Sequence, residues 1–473
     1  MVGSGASADF RVTRIAIAAT LVLCAPLAAG AAEQTDGTTT PAVALTNTVP
    51  GSSSPGGLPP STPGTLSLED CARLNKYNIR SQIVENQPSV CDRVAPALGG
   101  VRNSLADYGI GFQALMVGGL NYDILGHEEH PQLYGGQSPT FNATATAFLT
   151  YDLSRAGVPG DSQLIVGGVY YGNNYFASER YLGFATVAVN QRFLNNAVEL
   201  QYGFFPLIHN FYGFILAGNV ASNVYGPESN VLVSSGISEI APTPSAQIIV
   251  RDPATHRFYN NFIISRSTSP EGLLADNNAN PTGLRLTVPG ARALFVDEVG
   301  YKRPASQDER SVWIRGGAVI NTSQYARLID PTSPDRENNH ALYGAVTYQL
   351  TSPYGDARGW YFDAKADFAP SSVNVFSRDY SVTLYSIAPF ASRPKDMASL
   401  SWSQSFFSSD ERARVASFGA PSAHSTASVT LSYSFNVTHG TYLSSSLIHT
   451  WNPTFTPLRQ PALFINESLV LVF

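Results

Sequence analysis

Charged residues are scarce in this chain of 473 residues: Asp, Glu, Lys and Arg together make up 14% of it, against about 25% in a typical soluble domain. The formal net charge is −6. Nucleic-acid binding needs a concentrated basic surface, so we predict no nucleic-acid partner. A protein that meets lipid on one side needs fewer charges, and the deficit therefore favours a membrane environment.

Long apolar runs are also few. The run from Ile15 to Leu27 follows two arginines and precedes the small residues of 28–32. This is the pattern of a secretory signal peptide, which we predict at residues 1–32. An N-terminal membrane anchor is the alternative, but Pro26 interrupts the run, and a spanning helix needs about 20 apolar residues. The rest of the chain has no run long enough for such a helix.

Cysteine is nearly absent, since only Cys71 and Cys91 follow the predicted signal peptide. In an exported chain we expect this pair to form a disulfide rather than a metal site. Closing a loop of this length stabilises a fold by about 3 kcal/mol in the chain-entropy model.

The composition changes twice before the main domain. Residues 33–65 are rich in Thr, Ser, Pro and Gly and predict a flexible linker. In the short pre-barrel segment 66–97, the sequence Ser67-Leu-Glu-Asp70 is typical of a capping box that opens a short helix.

From about Gly100 onward, apolar and polar residues alternate in segments of about ten residues. The clearest segments are Phe141–Tyr151, Val198–Phe204, Leu342–Leu350, Tyr361–Phe368 and Val429–Val437. A soluble β-sandwich would bury the apolar face between two sheets, whereas a transmembrane barrel turns that face toward lipid. A secreted β-sandwich or β-helix shares this composition, so the direction of the apolar faces decides between these folds.

The last ten residues, 464–473, favour the barrel. They alternate, end on Phe473, and resemble the closing strand of bacterial outer-membrane β-barrels. Glu467 falls on their apolar side, which indicates a position near the membrane interface or a β-bulge. With the signal peptide, this predicts an all-β fold, an antiparallel transmembrane β-barrel at residues 98–473. At about 20 to 25 residues per strand and loop, it has about 16 strands.

Two polar stretches interrupt the alternation. Residues 221–281 are rich in Pro, Asn and Ser, and we expect one or more long extracellular loops there that fold inward. A second long loop is expected at 322–340.

Three motifs resemble the carbohydrate-selective porin family of the OprB type. They are Gly99-Gly-Val-Arg-Asn-Ser-Leu-Ala-Asp-Tyr-Gly-Ile110, then Arg393-Pro-Lys-Asp396 before Leu400-Ser-Trp402, and the segment from Trp451-Asn-Pro453 to Phe473. The resemblance implies passive diffusion of small sugars through the bacterial outer membrane, without catalysis, metal or cofactor. The implied partners are membrane lipid and a carbohydrate substrate, and the implied state is a monomer or a homotrimer.

The polar faces of the alternating segments supply the candidate pore-lining residues, where side chains would bond sugar hydroxyls. They are Glu199, Gln201, Arg315, Asp363, Lys365 and Asp367. His127-Glu-Glu-His130 lacks the spacing of a zinc motif, and Asp276-Asn-Asn-Ala-Asn280 lacks the glycine and glutamate of a calcium loop. No nucleophile elbow or phosphate loop occurs, so we predict no enzyme. The alternative function is a non-conducting outer-membrane or secreted β-protein with a structural, adhesin or export role.

Overall fold

The computed structural model describes residues 66–80, 88–175, 180–213, 229–352 and 357–473. The predicted signal peptide and linker lie outside the described residues, and both stay predictions.

Sixteen antiparallel strands form one closed barrel, in which each strand pairs with the next and β16 pairs with β1. The strands are β1 Ile110–Asp123, β2 Thr140–Asp152, β3 Asp161–Asn173, β4 Tyr181–Phe193, β5 Val198–Phe205, β6 Thr243–Arg251, β7 Phe258–Arg266, β8 Ala293–Arg303, β9 Val312–Ala326, β10 Arg336–Gln349, β11 Gly359–Phe368, β12 Phe376–Ile387, β13 Met397–Phe407, β14 Ser425–Thr438, β15 Thr441–Trp451 and β16 Ala462–Val472. The predicted fold and its strand number are confirmed.

The polarity of the barrel is the reverse of that of a soluble protein. On β2, the apolar Phe141 and Leu149 are 57% and 50% exposed, whereas Thr144 and Thr146 on the opposite face are buried. Lipid can replace water around the outer face, while the polar face lines the interior. Among the described residues, no helix is both long and apolar enough to cross a membrane.

The two ends of the barrel differ. Connections after odd-numbered strands lie at one end, the loop end. Connections after even-numbered strands lie at the other, the turn end. Five short helices occur in the described residues: α1 Leu68–Asn75, α2 Val101–Asp107, α3 Asn230–Ser234, α4 Leu273–Ala279 and α5 Ser409–Ser417. Helices α1 and α2 precede β1 at the turn end, and Ser67 and Asp70 form the predicted capping box.

The seam between β1 and β16 pairs Leu115 with Val472 and Leu120 with Glu467, without a register shift. A bulge therefore does not explain Glu467, and that alternative is wrong. Glu467 faces outward in the middle of β16, where its Oε2 accepts a hydrogen bond of 2.6 Å from Ser445 Oγ on β15.

The loop predictions need correction. Strands β6 and β7 lie within the stretch 221–281, and the segment 322–340 is mostly strand, with a connection of only 327–335. Ile248, Ile249 and Val250 in β6 are consecutive apolar residues. The inner face of this wall packs against protein rather than water, so the alternation that marks a strand is missing there.

Candidate functional site

A loop from the loop end lies inside the barrel. It consists of residues 206–213 and 229–242 of the connection between β5 and β6, which we call L3. Its backbone is held by side chains of the inner wall: Asn261 Nδ2 donates to Asn210 O at 2.8 Å, and Tyr212 N donates to Glu298 Oε2 at 2.9 Å. Val231 N donates to Asp379 Oδ2 at 2.9 Å. These contacts fasten L3 to β7, β8 and β12, so it narrows the lumen from that side.

Apolar packing supports the same position. The buried cluster contains Phe205, Ile263, Leu294, Val296 and Val319 on the strands, and Leu207, Ile208, Phe211, Val231, Leu232 and Ile237 on L3. Apolar residues on the inner face of a water-filled barrel would be unfavourable unless covered. L3 is their cover.

Four of the predicted residues form a charged network beneath L3. Tyr212 Oη donates to Asp367 Oδ2 at 2.7 Å, and Arg315 Nη2 donates to Tyr212 O at 2.6 Å. Lys365 Nζ lies 3.1 Å from Asp363 Oδ1, and Arg315 Nη2 lies 3.8 Å from Asp363 Oδ2. Burial, followed by the nearby Asp367 carboxylate, raises the pKa of Tyr212 well above its usual value, so the hydroxyl remains a donor.

Glu199 and Gln201 belong to a second polar group, on the inner wall of β4 to β6. Glu199 Oε2 lies 2.8 Å from Arg251 Nη2 and 3.6 Å from Arg192 Nε. Asn190 Nδ2 donates to Glu199 Oε1 at 2.8 Å and to Gln201 Oε1 at 3.4 Å. The carboxylate is thus paired within the wall.

A second insert enters from the turn end. Residues 76–80, which we call the strap, lie against the inner wall of β1 to β3. Thr150 Oγ1 donates to Tyr77 O at 2.6 Å, and Gln163 Nε2 donates to Asn78 O at 3.0 Å. Gln163 Oε1 accepts from Arg80 N at 3.0 Å. The strap was not predicted from the sequence.

Ile79 is the apolar anchor of the strap. It packs in a buried cluster with inward-facing Phe148, Ile165, Val169, Tyr181 and Ala185, against which Ile240 and Ala241 at the end of L3 also pack. The strap and L3 therefore meet on the β2 to β4 wall. The sequence contained a signal of this insert: Phe148, Ile165 and Val169 are apolar residues at inward positions, which a polar lumen does not explain.

The base of the strap is closed by a disulfide between Cys71 and Cys91, with a Cα–Cα distance of 5.7 Å. Arg93 is fully buried beside it and donates from Nη2 to Asn78 Oδ1 at 2.8 Å. Burial lowers the pKa of Arg93 to about 9, so the guanidinium still carries a proton at neutral pH. Lys395 Nζ lies 2.5 Å from Asp92 Oδ1, which joins this element to the turn before β13.

The inner wall of β12 to β16 is dominated by hydroxyl groups, and we call it the hydroxyl wall. Its members are Ser381, Thr383, Ser399, Ser401, Ser405, Ser432, Ser434, Ser444, Ser446 and Ser468. Several bond in pairs across strands, at 2.8 Å between Ser446 and Ser432 and at 2.9 Å between Thr383 and Ser401. The inward positions of β13 to β16 carry no charged side chain in the described strands. In the sequence, the signal of the hydroxyl wall was serine or threonine at every second position of these strands.

The family model for the carbohydrate-selective porin, OprB family, matches residues 150–467. The chain belongs to that family.

The fold of this OprB-family barrel is similar to two structures of Pseudomonas putida OprB. The high-pH structure has 15% identity and a TM-score of 0.66, and the match covers 80% of this chain and 97% of that one. The low-pH structure has 14% identity and a TM-score of 0.50, with coverages of 81% and 98%. A search of curated proteins finds no match. The protein is an outer-membrane porin for carbohydrates, and the predicted family and function are confirmed.

The remaining motifs have structural partners in this OprB-family chain. His127 Nδ1 lies 2.8 Å from Asp123 Oδ2, and Glu129 Oε1 accepts from Arg459 at 2.8 Å. Asp276 is buried and pairs with Arg266 at 2.8 Å. Within the described ranges, no group of three or more His, Cys, Asp or Glu residues could hold a metal ion.

Proposed function

We propose that this protein lets carbohydrates and similar small polar solutes diffuse passively along the hydroxyl wall, past L3 and the strap, across a bacterial outer membrane. The loop end faces outward and the turn end faces the periplasm. The observation that carries this proposal is the asymmetry of the lumen: L3 is fastened to β7, β8 and β12, and the inward positions of β13 to β16 are uncharged.

Hydroxyl groups suit this task because each can both donate and accept a hydrogen bond. A sugar presents the same chemistry, so water and sugar can exchange on the wall at little net cost. Conduction requires binding that is weak enough for the solute to leave. The part of the wall formed by β13 to β16, which carries no inward charge, meets that condition for uncharged polar solutes.

The six predicted pore-lining residues form two groups, which have different roles in this proposal. Arg315, Asp363, Lys365 and Asp367 fix the width of the passage. The Arg315 and Asp367 side chains bond Tyr212 of L3, and Asp363 pairs with both Arg315 and Lys365. Glu199 and Gln201 line the inner wall of β4 to β6, where Arg251 balances the carboxylate. One barrel makes one pore, so the proposal holds for a monomer or a homotrimer.

No catalytic step is part of the proposal. The family and the fold point to a channel rather than an enzyme, and solute movement follows its concentration gradient without a cofactor.

Liposome swelling tests the function. Vesicles containing the refolded protein should swell faster in isotonic glucose than in raffinose, and glucose should exceed sodium gluconate of equal osmolarity. Protein boiled before reconstitution is the control. A reconstituted barrel that supports neither swelling nor bilayer conductance would instead favour the structural or adhesin role.

A further inference from the structure

A cavity of about 460 Å³ opens at the loop end of the barrel, where β11 ends, β12 begins and β13 passes into α5. It is separate from the lumen residues described above. Its polar lining comprises Ser371, Ser377, Arg378, Ser409, Arg412 and His424. Three groups that can carry positive charge therefore share one cavity with three hydroxyls.

These basic groups lack an acidic counterpart. Within the described residues, the structure gives neither Arg378, Arg412 nor His424 an ion-pair partner, and Arg412 Nε is buried without a hydrogen bond. One carboxylate on the lining segments, Asp410, accepts from Ser371 Oγ at 3.1 Å and from Ser409 Oγ at 3.0 Å. Glu411 Oε1 forms an ion pair with Arg414 Nη2 at 2.5 Å. An excess of positive charge remains for an anion.

The cavity adjoins an aromatic part of the outer surface. Arg378 pairs in register with Phe368 on β11 and Phe406 on β13, and its Cζ lies 4.8 Å from the Phe406 ring centroid. The ring of Tyr380 lies 5.8 Å from Phe368 and 5.9 Å from Phe406. Aromatic residues of this kind mark the membrane interface, and arginines beside them reach the headgroup level.

Farther from the loop end, the outer surface becomes apolar. Val382 and Trp402 form the next outward cross-strand pair, and both are exposed. A molecule held by its anionic group in the cavity would therefore have a surface for acyl chains directly below it.

We propose that this cavity binds the phosphate of an anionic lipid headgroup, with Arg378, Arg412 and His424 around the phosphate and the lipid chains against Phe368, Tyr380 and Trp402. Guanidinium groups bind phosphate through paired, charge-assisted hydrogen bonds. The inference rests on the proposed placement of the barrel in an outer membrane. Free phosphate has the same headgroup chemistry, but it would make no use of the aromatic surface.

Native mass spectrometry of the detergent-solubilised full chain tests the proposal, with dioleoyl phosphatidic acid as the probe and dioleoyl phosphatidylcholine as the zwitterionic comparison. The wild type should bind phosphatidic acid at least tenfold more tightly. Arg378→Gln with Arg412→Gln should abolish that preference, whereas Arg336→Gln, an exposed arginine at the same end of the barrel, should retain it. Equal binding of phosphatidic acid by the double variant and the wild type would overturn the site.

Two further measurements separate the remaining outcomes. Inorganic phosphate that displaces phosphatidic acid at equal concentration would overturn the lipid assignment. If the double variant fails to fold, Ser377→Asp keeps both arginines and should weaken phosphatidic acid binding at least tenfold by charge repulsion; unchanged binding would contradict the proposal. A wild type that binds phosphatidic acid but conducts no sugar would overturn the proposed function and leave this site standing.

Discussion

Tyr212 and Asp367 are 155 residues apart in the sequence, yet the phenol hydroxyl donates to the carboxylate at 2.7 Å inside the barrel. This bond joins L3 to β11.

Replacing Tyr212 with Phe removes this donor and leaves a buried carboxylate without it. We expect the free energy of unfolding to fall by about 1–3 kcal/mol, measured by urea titration in lipid vesicles. The loosened L3 should also raise the noise of the open channel in planar bilayers. Tyr170→Phe is the control, because that tyrosine faces lipid. An equal effect of the two changes would contradict the anchoring role.

Asp363 neutralises two buried cations, Lys365 and Arg315. Asp363→Asn should destabilise the barrel by about 3–5 kcal/mol, because it leaves those charges uncompensated. Adding Lys365→Met should restore most of the loss, since the double variant removes one charge of each sign. The reversal potential in a salt gradient should move toward anion preference in the single variant. No movement would place Asp363 away from the passage.

Glu239 lies half-buried in L3, next to Ile240, and burial raises its pKa from 4.5 to about 7. Because the packed loop favours the protonated acid, this contribution to L3 stability is complete below about pH 4.5 and is lost as the pH rises through about 7. Raising the pH from 6 to 8 should therefore increase gating events in single-channel records. Glu239→Gln should gate equally at both values; a wild type without pH dependence would refute the idea.

Ile79 holds the strap to the inner wall. We expect Ile79→Ala to weaken the packing of the strap against the wall by about 2–5 kcal/mol, which is enough to release the strap. Liposome swelling in raffinose should then increase relative to glucose because the passage widens. Ile320→Ala, on the outer face, should leave this ratio unchanged. If the ratio is the same in both variants, the strap does not set the size limit.

Glu467 lies half-buried on the outer face in the middle of β16, with only Ser445 as its hydrogen-bond donor among the described residues. A carboxylate on that face is unfavourable, so Glu467→Leu should stabilise the barrel by about 1–2 kcal/mol in vesicles. Glu467→Gln should give a smaller gain. A destabilised Leu variant would instead indicate that another protein covers this face in the membrane.

The sequence predicted the barrel well because period-2 alternation depends only on local side-chain direction. Strands such as β2 and β14 alternate cleanly, since one face meets lipid and the other meets a polar interior. The same rule failed at β6 and β7, where Ile249 and Ile263 are buried on the inner face and Ile263 packs beneath L3. Alternation of apolar and polar residues reflects the surroundings of the two faces of a strand. Where a loop covers the wall, the inner face meets protein rather than water, and the alternation is lost.

The site was predicted only in part for a related reason. Arg315, Asp363, Lys365 and Asp367 stood on polar faces, and the structure brings them together under Tyr212. That loop residue comes from a distant connection, and no local pattern relates it to β11. The strap was missed because Tyr77, Asn78 and Arg80 contact the wall through backbone groups, which carry no sequence signature. Its side-chain anchor, Ile79, was signalled only indirectly, by apolar residues at inward positions of the wall.

The seam between β1 and β16 also has a consequence for the order of assembly. Leu115 and Val472 are neighbours in the sheet, so the ring cannot close until nearly the whole domain has been synthesised and exported. Until then both strands are edges with unpaired backbone groups, and the lipid-facing side chains have no lipid to meet. Contacts this distant in sequence form slowly, so we expect the unclosed chain to depend on a partner that shields its edges.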